Sequence, residues 1–119
     1  MTVTRRALLL SAVLLAGVTS ACGGTDEAAP AADRTVVDVR TPAEFATGHV
    51  RGARNLDVEA PDFDTAVAAL PKDATYLVYC HSGRRAGIAV ERMTAAGLRA
   101  ASGGGVEDMR AAGWEIVTG

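Results

Sequence analysis

The sequence predicts a small α/β domain in which helices cover both faces of a parallel sheet. Two short runs rich in β-branched or aromatic residues, 35–39 and 76–79, alternate along the chain with helix-like segments. Alternation of this kind is typical of βαβ units, whose crossover helices lie on a parallel sheet. The strands of such sheets are buried and therefore read as continuous apolar runs, as these two do. With 119 residues, the chain has room for one small domain.

The first predicted helix has a clear start signal. Thr41, Pro42 and Glu44 form the pattern of a capping box with proline in the first turn, and Gly48 ends the helix soon afterwards. The other elements are predicted from the spacing of apolar residues and from Gly or Pro at their ends. They are brief strands at 52–56 and 98–101, helices at 62–70, 86–96 (stopped by Gly97) and 106–112 (stopped by Gly113), and a sharp glycine turn at 103–105.

The first 21 residues read as an export signal. Arg5 and Arg6 form a basic segment, and residues 7–18 are apolar but too short to span a bilayer. Residues 18–22 (VTSAC) resemble a bacterial lipobox, which predicts that Cys22 is lipidated and becomes the mature N-terminus. An ordinary signal peptide that leaves Cys22 unmodified is the alternative. The paired arginines are compatible with both the general secretory and the twin-arginine export routes.

Residues 22–33 predict a flexible tether, because after Cys22 they are small or polar and offer nothing to bury. The globular domain is then expected at 34–119. Loss of Arg5 and Arg6 with the signal changes the formal charge from −2 to about −4. No basic face of the kind that binds nucleic acid is apparent. We expect an exported, monomeric lipoprotein that faces the periplasm or the cell surface and is held to the membrane by the lipid on Cys22.

The most informative motif is the loop CHSGRR at residues 80–85, between the predicted strand 76–79 and the predicted helix 86–96. A cysteine reacts as its thiolate, which neighbouring cations and a helix N-terminus favour over the thiol. Backbone amides exposed at a strand-to-helix turn also bind anionic oxygen or sulfur. The motif therefore predicts a reactive Cys80 that handles an anion.

Two further observations concern the setting of Cys80. With Cys22 acylated, Cys80 has no partner for a disulfide within the chain, although an unmodified Cys22 would leave a Cys22–Cys80 disulfide as the alternative. Ligands of parallel α/β sheets bind at the carboxyl ends of strands. Because Arg40 follows the strand at 35–39 and Cys80 follows that at 76–79, we expect the two loops to share one mouth.

Three segments resemble the motifs of a rhodanese domain. Residues 36–45 (VVDVRTPAEF) with 48–53 (GHVRGA) resemble the first motif of the family, 79–85 its active-site loop, and 103–113 its closing glycine turn and helix. Together they cover nearly all of 34–119 in the right order. Residues 23–33 cannot supply the strand and helix with which many rhodanese domains open, so we expect both to be absent. In this respect the chain is similar to the small periplasmic rhodaneses of the phage-shock type.

The resemblance implies a sulfurtransferase. Rhodaneses move a sulfane sulfur from a donor such as thiosulfate to the loop cysteine, and then to a thiophilic acceptor such as cyanide or a thiol. By this resemblance Cys80 attacks the donor, becomes a persulfide and is discharged in a ping-pong cycle. The backbone of the loop would stabilise the thiolate or persulfide, through the amides of His81, Ser82, Gly83, Arg84, Arg85 and Ala86. No cofactor is implied, and the two histidines and one available cysteine lack the spacing of a metal site.

Roles for the charged residues follow from the same resemblance. Arg85 is expected to hold the loop and Arg84 to meet the anionic end of the donor, although the sequence allows these two roles to be exchanged. Asp38 is expected to pair with Arg85, and Arg40 to line the entrance. The alternative for Asp38 and Arg40 is a salt bridge that supports the fold. His81 is expected to face solvent, and His49 to form a hydrogen bond in a turn.

Other functions remain as alternatives. The related phosphatases and arsenate reductases place five residues between cysteine and arginine, whereas four residues separate Cys80 from Arg85, and Ala86 follows. The shorter loop favours sulfur over phosphate. A non-catalytic exported module for sulfur sensing or partner docking is a different class, but the chain keeps both the loop cysteine and the arginine. A thiol relay to another exported protein would use the same Cys80 chemistry.

Overall fold

The computed structural model describes Pro30 and residues 33–119. The predicted signal segment 1–21, the lipidation site Cys22 and most of the tether 22–33 lie outside these residues. The elements of the described part are β1 (Arg34–Asp38), α1 (Pro42–Thr47), β2 (His49–Val50), β3 (Arg54–Asn55), α2 (Phe63–Ala68), β4 (Thr75–Cys80), α3 (Arg84–Ala95), β5 (Arg99–Gly105), α4 (Val106–Ala111) and β6 (Ile116–Val117). None of the helices in this part has the length and apolarity that a bilayer crossing requires.

Four strands form a parallel sheet in the order β3-β1-β4-β5. The central pair is β1 and β4, in which Val36 lies opposite Leu77 and Asp38 lies opposite Tyr79. The carboxyl ends of these two strands therefore lie side by side at one edge of the sheet. This arrangement confirms the predicted parallel sheet and brings together the loops that follow β1 and β4.

Helices cover both faces of the sheet. Successive side chains of β1 and β4 point to opposite sides, so each face presents apolar side chains to a layer of helices. One face packs against α2 and α3, in a buried cluster that includes Val37, Val78, Phe63, Val67, Ala89 and Met93. The other face packs against α4 in a second buried cluster, formed by Val36, Val50, Leu77, Tyr79, Val106 and Met109. The predicted fold class is thereby confirmed, and β1 is the first strand of the described residues.

The helix boundaries follow local signals. At the start of α1, the Thr41 side chain accepts a hydrogen bond from the Glu44 N–H at 3.2 Å, and the Glu44 carboxylate accepts one from the Thr41 N–H at 3.4 Å. The capping box is therefore present as predicted. Gly97 and Gly113 have φ values of 89° and 104° and follow the C-caps of α3 and α4. Such left-handed conformations end helices at little steric cost in glycine.

Two parts of the fold differ from the prediction. Residues 103–105, expected as a turn, are the end of β5, where Gly104 lies opposite Tyr79 and Gly105 opposite Cys80 after a register shift. The glycines continue the strand because their lack of side chains permits a close backbone approach. The short antiparallel pair β2-β6 was not predicted. Strands of two residues carry no detectable periodicity, so the sequence contains no signal for them.

Candidate active site

Cys80 is the last residue of β4, and its side chain is buried and forms no disulfide within the described residues. Its Sγ accepts a hydrogen bond from the backbone N–H of Gly83 at 2.9 Å. Gly83 is the N-cap of α3 and has a φ of 107°, a conformation that glycine adopts without strain. The sulfur thus lies at the N-terminus of a helix of 12 residues, where unpaired amides and the helix dipole stabilise an anion.

The rest of the loop divides into exposed and buried residues. The side chains of His81, Ser82 and Arg84 are exposed, as expected for a solvent-facing His81. Ala86 is fully buried and packs with Cys80 in the cluster between the sheet and α3. Its side chain is therefore part of the core, and only its backbone is available to the loop. Among the described residues, Gly83 supplies the amide hydrogen bond that Cys80 Sγ receives.

Arg85 pairs with Glu44, not with Asp38 as predicted. Its two terminal nitrogens each donate to one Glu44 carboxylate oxygen at 2.8 Å. This hydrogen bonding lowers the pKa of Glu44 to about 2 and raises the pKa of Arg85. Glu44 lies in the first turn of α1, from which its carboxylate reaches the start of α3. From the sequence, Glu44 was expected only in the capping box, and its second contact with Arg85 was not predicted.

Asp38 instead forms a salt bridge with Arg40, two residues further along the chain. The Arg40 Nη2 donates to Asp38 Oδ2 at 2.7 Å and to the Gly48 carbonyl at 2.6 Å, and its Nε donates to Asp38 Oδ1 at 3.0 Å. The side chains are 5% and 0% exposed. The salt bridge of the alternative is therefore present, and Arg40 is buried in it instead of being exposed at an entrance. These hydrogen bonds hold the Nε and Nη2 side of the guanidinium in place.

Tyr79 and Asn55 complete the support beneath the site. The Tyr79 hydroxyl accepts a hydrogen bond from the Val50 N–H at 2.9 Å, and the Arg40 guanidinium lies 5.6 Å from the Tyr79 ring. Burial raises the pKa of Tyr79. The Asn55 side chain donates to the carbonyls of Asp38 and Arg40 at 3.1 and 2.9 Å. These contacts hold the chain that follows β1 next to β4 and the cysteine loop.

His49 has the structural role that the sequence analysis expected. Its Nδ1 donates to the Phe45 carbonyl at 2.8 Å, and its ring stacks on Phe45 with the ring centres 3.7 Å apart. Both contacts stabilise the turn that connects α1 to β2. Within Pro30 and residues 33–119, no three His, Cys, Asp or Glu side chains converge in a way that suits a metal ion.

Arg84 differs from Arg85 in having no partner among the residues that the structure describes. Its side chain is exposed, and it has neither a hydrogen bond nor an ion pair with any other described residue. A cavity of about 230 Å³ lies between the start of α1, the segment 55–62 and α2, and no residue of the loop 80–85 lines it. The thiol with its Gly83 amide and the free guanidinium of Arg84 are therefore the features of the loop that can meet a small anion.

Comparison with known proteins shows the family of the chain. The family model of the rhodanese-like domain matches residues 25–111. The chain belongs to the rhodanese-like family. It is 34% identical over 74 residues to the thiosulfate sulfurtransferase PspE of Escherichia coli, a match that covers 61% of this chain and 71% of PspE. It is 42% identical over 53 residues to the thiosulfate sulfurtransferase GlpE of Stutzerimonas stutzeri, covering 44% of this chain and 46% of GlpE.

Solved structures show the same fold. A structure described as a rhodanese with anions from E. coli superimposes with a TM-score of 0.62 at 31% identity, over 72% of this chain and 99% of that one. A rhodanese-related protein of Thermoplasma volcanium gives a TM-score of 0.65 at 28% identity, over 73% and 86% of the two chains. The predicted family is therefore confirmed, and its named relatives support a sulfurtransferase at the family level.

Proposed function

We propose that this protein is a sulfurtransferase that carries a sulfane sulfur on Cys80 as a persulfide. The donor is thiosulfate or a persulfide, and the acceptor is cyanide or a thiol. The observation that carries the proposal is the 2.9 Å hydrogen bond from the Gly83 N–H to Cys80 Sγ at the start of α3. An amide directed at the sulfur stabilises the Cys80 thiolate before it attacks the donor and again when the acceptor removes the sulfur from it. Membership of a family whose relatives are named thiosulfate sulfurtransferases supports the same reaction.

In the first half-reaction, the Cys80 thiolate attacks the outer sulfur of thiosulfate. A new sulfur–sulfur bond forms on Cys80, the sulfur–sulfur bond of thiosulfate breaks, and sulfite leaves with the electron pair of that bond. In the second, the acceptor attacks the terminal persulfide sulfur. Cyanide becomes thiocyanate, or a thiolate becomes a persulfide, and the Cys80 thiolate is regenerated. The two steps balance without any external oxidant or reductant.

The two loop arginines have different roles in this proposal. Arg85 donates hydrogen bonds to both carboxylate oxygens of Glu44 and is partly buried, so it holds the start of α3 in place. Arg84 is exposed and unpaired among the described residues, so its charge is available to the sulfonate end of thiosulfate. Of the two arrangements that the sequence left open, the contacts favour Arg85 as the positioning residue and Arg84 as the donor-binding residue.

The most direct test is intact-mass analysis of the reduced protein after treatment with thiosulfate. We expect one added sulfur, which peptide mapping would place on Cys80 and not on Cys22. Cys80→Ala should lose both the adduct and the formation of thiocyanate from cyanide, whereas His81→Ala, a change at an exposed loop residue, should retain the adduct. Turnover that persists in Cys80→Ala would contradict the mechanism. Absence of the adduct in the wild-type protein would favour the non-catalytic module for sulfur sensing or docking.

We also propose that the protein is an exported lipoprotein, anchored through Cys22, and a monomer. The support is the basic pair Arg5 and Arg6, the apolar stretch at 7–18 and the lipobox-like residues 18–22. Expression of the full chain in a bacterium fed a labelled fatty acid should label the protein, and Cys22→Ser should remove the label. Label retained by Cys22→Ser would contradict lipidation at this residue. Light scattering of the protein without residues 1–22 would test the monomer.

A further inference from the structure

We propose that Gly105 is a positioning residue for sulfur transfer, because its lack of a side chain allows the end of β5 to lie directly against the cysteine loop. The inference rests on the proposed function for its consequence in catalysis. The observations that support it are contacts between the end of β5 and the loop 80–85. Gly105 has no reactive side chain, and in this proposal its effect acts through the backbone of the loop.

The contacts of Gly105 lie on both sides of the reactive cysteine. Within the sheet, Gly105 is the register partner of Cys80. Beyond the sheet, it forms an isolated antiparallel bridge with Ser82. The neighbouring Gly104 lies against Gly83, because a Cβ atom added to Gly83 would be 3.5 Å from the Gly104 Cα. The end of β5 therefore follows the backbone of the loop from the thiol to the residue whose amide binds it.

Space, and not backbone conformation, requires glycine at position 105. A Cβ atom there would overlap the carbonyl oxygen of His81 and would lie 3.0 Å from its carbonyl carbon and 3.1 Å from the Ser82 Cα. These are backbone atoms, which cannot rotate away as a side chain can. The φ and ψ of Gly105 are −95° and 173°, an extended conformation that any residue adopts. A methyl group at this position must therefore displace the loop or the strand.

The strand is held in place from its other side. The Gly105 N–H donates to Asp108 Oδ2 at 2.7 Å, and Asp108 lies in the first turn of α4. The preceding Gly104 has a φ of 82°, which fixes the bend before this anchor in a region that favours glycine. Since Asp108 opposes movement of the strand, the segment 81–82 has to yield. Displacement of this segment also displaces Gly83, whose amide is the hydrogen-bond donor to Cys80 Sγ.

Gly105→Ala tests the inference, with Gly87→Ala as the matched control. Gly87 lies on α3, and a Cβ atom added to it has nothing within 4 Å. At a temperature where both variants are fully folded, we expect Gly105→Ala to reduce kcat with thiosulfate by about 10- to 100-fold, since displacement of about 1 Å at a reactive group has an effect of this size. Hydrogen exchange of the amides at 81–84 should accelerate. Gly87→Ala should change neither quantity.

Asp108→Ala provides a second variant in case Gly105→Ala fails to fold. It releases the anchor without adding an atom, and we expect faster exchange at 81–84 with a smaller loss of kcat. If folded Gly105→Ala has the same hydrogen-exchange rates and kcat as Gly87→Ala, the inference is overturned. If Gly105→Ala does not fold, wild-type hydrogen exchange and wild-type kcat in Asp108→Ala would overturn it. Absence of sulfur transfer in the wild type would instead refute the proposed function, while hydrogen exchange would still test the positioning by Gly105.

Discussion

Replacement of Asp38 by asparagine leaves the Arg40 guanidinium buried without its counter-ion. The two side chains are 0% and 5% exposed, and three hydrogen bonds join Arg40 Nε and Nη2 to the carboxylate at 2.7 to 3.1 Å. Removal of one partner from a buried pair destabilises a protein by about 3–5 kcal/mol. Because Arg40 would keep its bond to the Gly48 carbonyl and its position over the Tyr79 ring, we expect about 3 kcal/mol, the lower end of that range.

The expected loss is easily measured in a domain of this size. At about 4–8 °C per kcal/mol, Asp38→Asn should lower the melting temperature by about 12–24 °C. The chain has a single tryptophan, Trp114, which packs against the second core cluster. Its fluorescence therefore provides a probe for urea and thermal unfolding, to be checked against circular dichroism. Coincident transitions from the two probes would support two-state unfolding and hence the conversion to free energy.

Glu115→Gln is the matched control for Asp38→Asn. It breaks the ion pair between Arg51 and Glu115, whose side chains are 66% and 62% exposed, and exposed pairs contribute about 0–1 kcal/mol. Equal unfolding midpoints for the two variants would refute the reasoning. The KM for thiosulfate should stay unchanged in folded Asp38→Asn, since Arg40 is buried. A raised KM with wild-type stability would restore the role of Arg40 at the entrance.

Four further results are expected. The folded pKa of Glu44 is about 2, below its ordinary value of 4.5, so its contribution to stability is present above about pH 4.5 and is lost as pH falls toward 2. Glu44→Gln should therefore make the free energy of unfolding less dependent on pH in this range. An unchanged pH dependence of unfolding would contradict this role of Glu44. Arg84→Gln should raise the KM for thiosulfate by about 5-fold, equivalent to about 1 kcal/mol, with little change in kcat; an unchanged KM would exclude donor binding by Arg84. Arg85→Gln should reduce turnover more than His81→Ala, and the reverse order would refute the positioning role. Insertion of one glycine between His81 and Ser82 should weaken thiosulfate turnover, whereas unchanged turnover would undercut the argument from loop length.

Local features of the fold could be predicted from the sequence because they depend on neighbours in the chain. The capping box of α1 joins Thr41 and Glu44, three residues apart, and the glycine stops at Gly97 and Gly113 act within one helical turn. The strands β1 and β4 were apparent as apolar runs. The site could be predicted for a similar reason, since the interval from Cys80 to Arg85 is a property of the chain itself.

The sequence by itself therefore determined the fold class, the family, and the position of Cys80 in a loop of this length. Only the tertiary structure decided which partners the charged residues have. Glu44 and Arg85 are 41 positions apart, and whether Glu44 or Asp38 reaches Arg85 depends on how α1 packs beside α3. The closeness of Gly105 to His81 likewise depends on the register of β5 against β4. Contacts of this kind arise between distant segments, and composition and spacing along the chain carry no record of them.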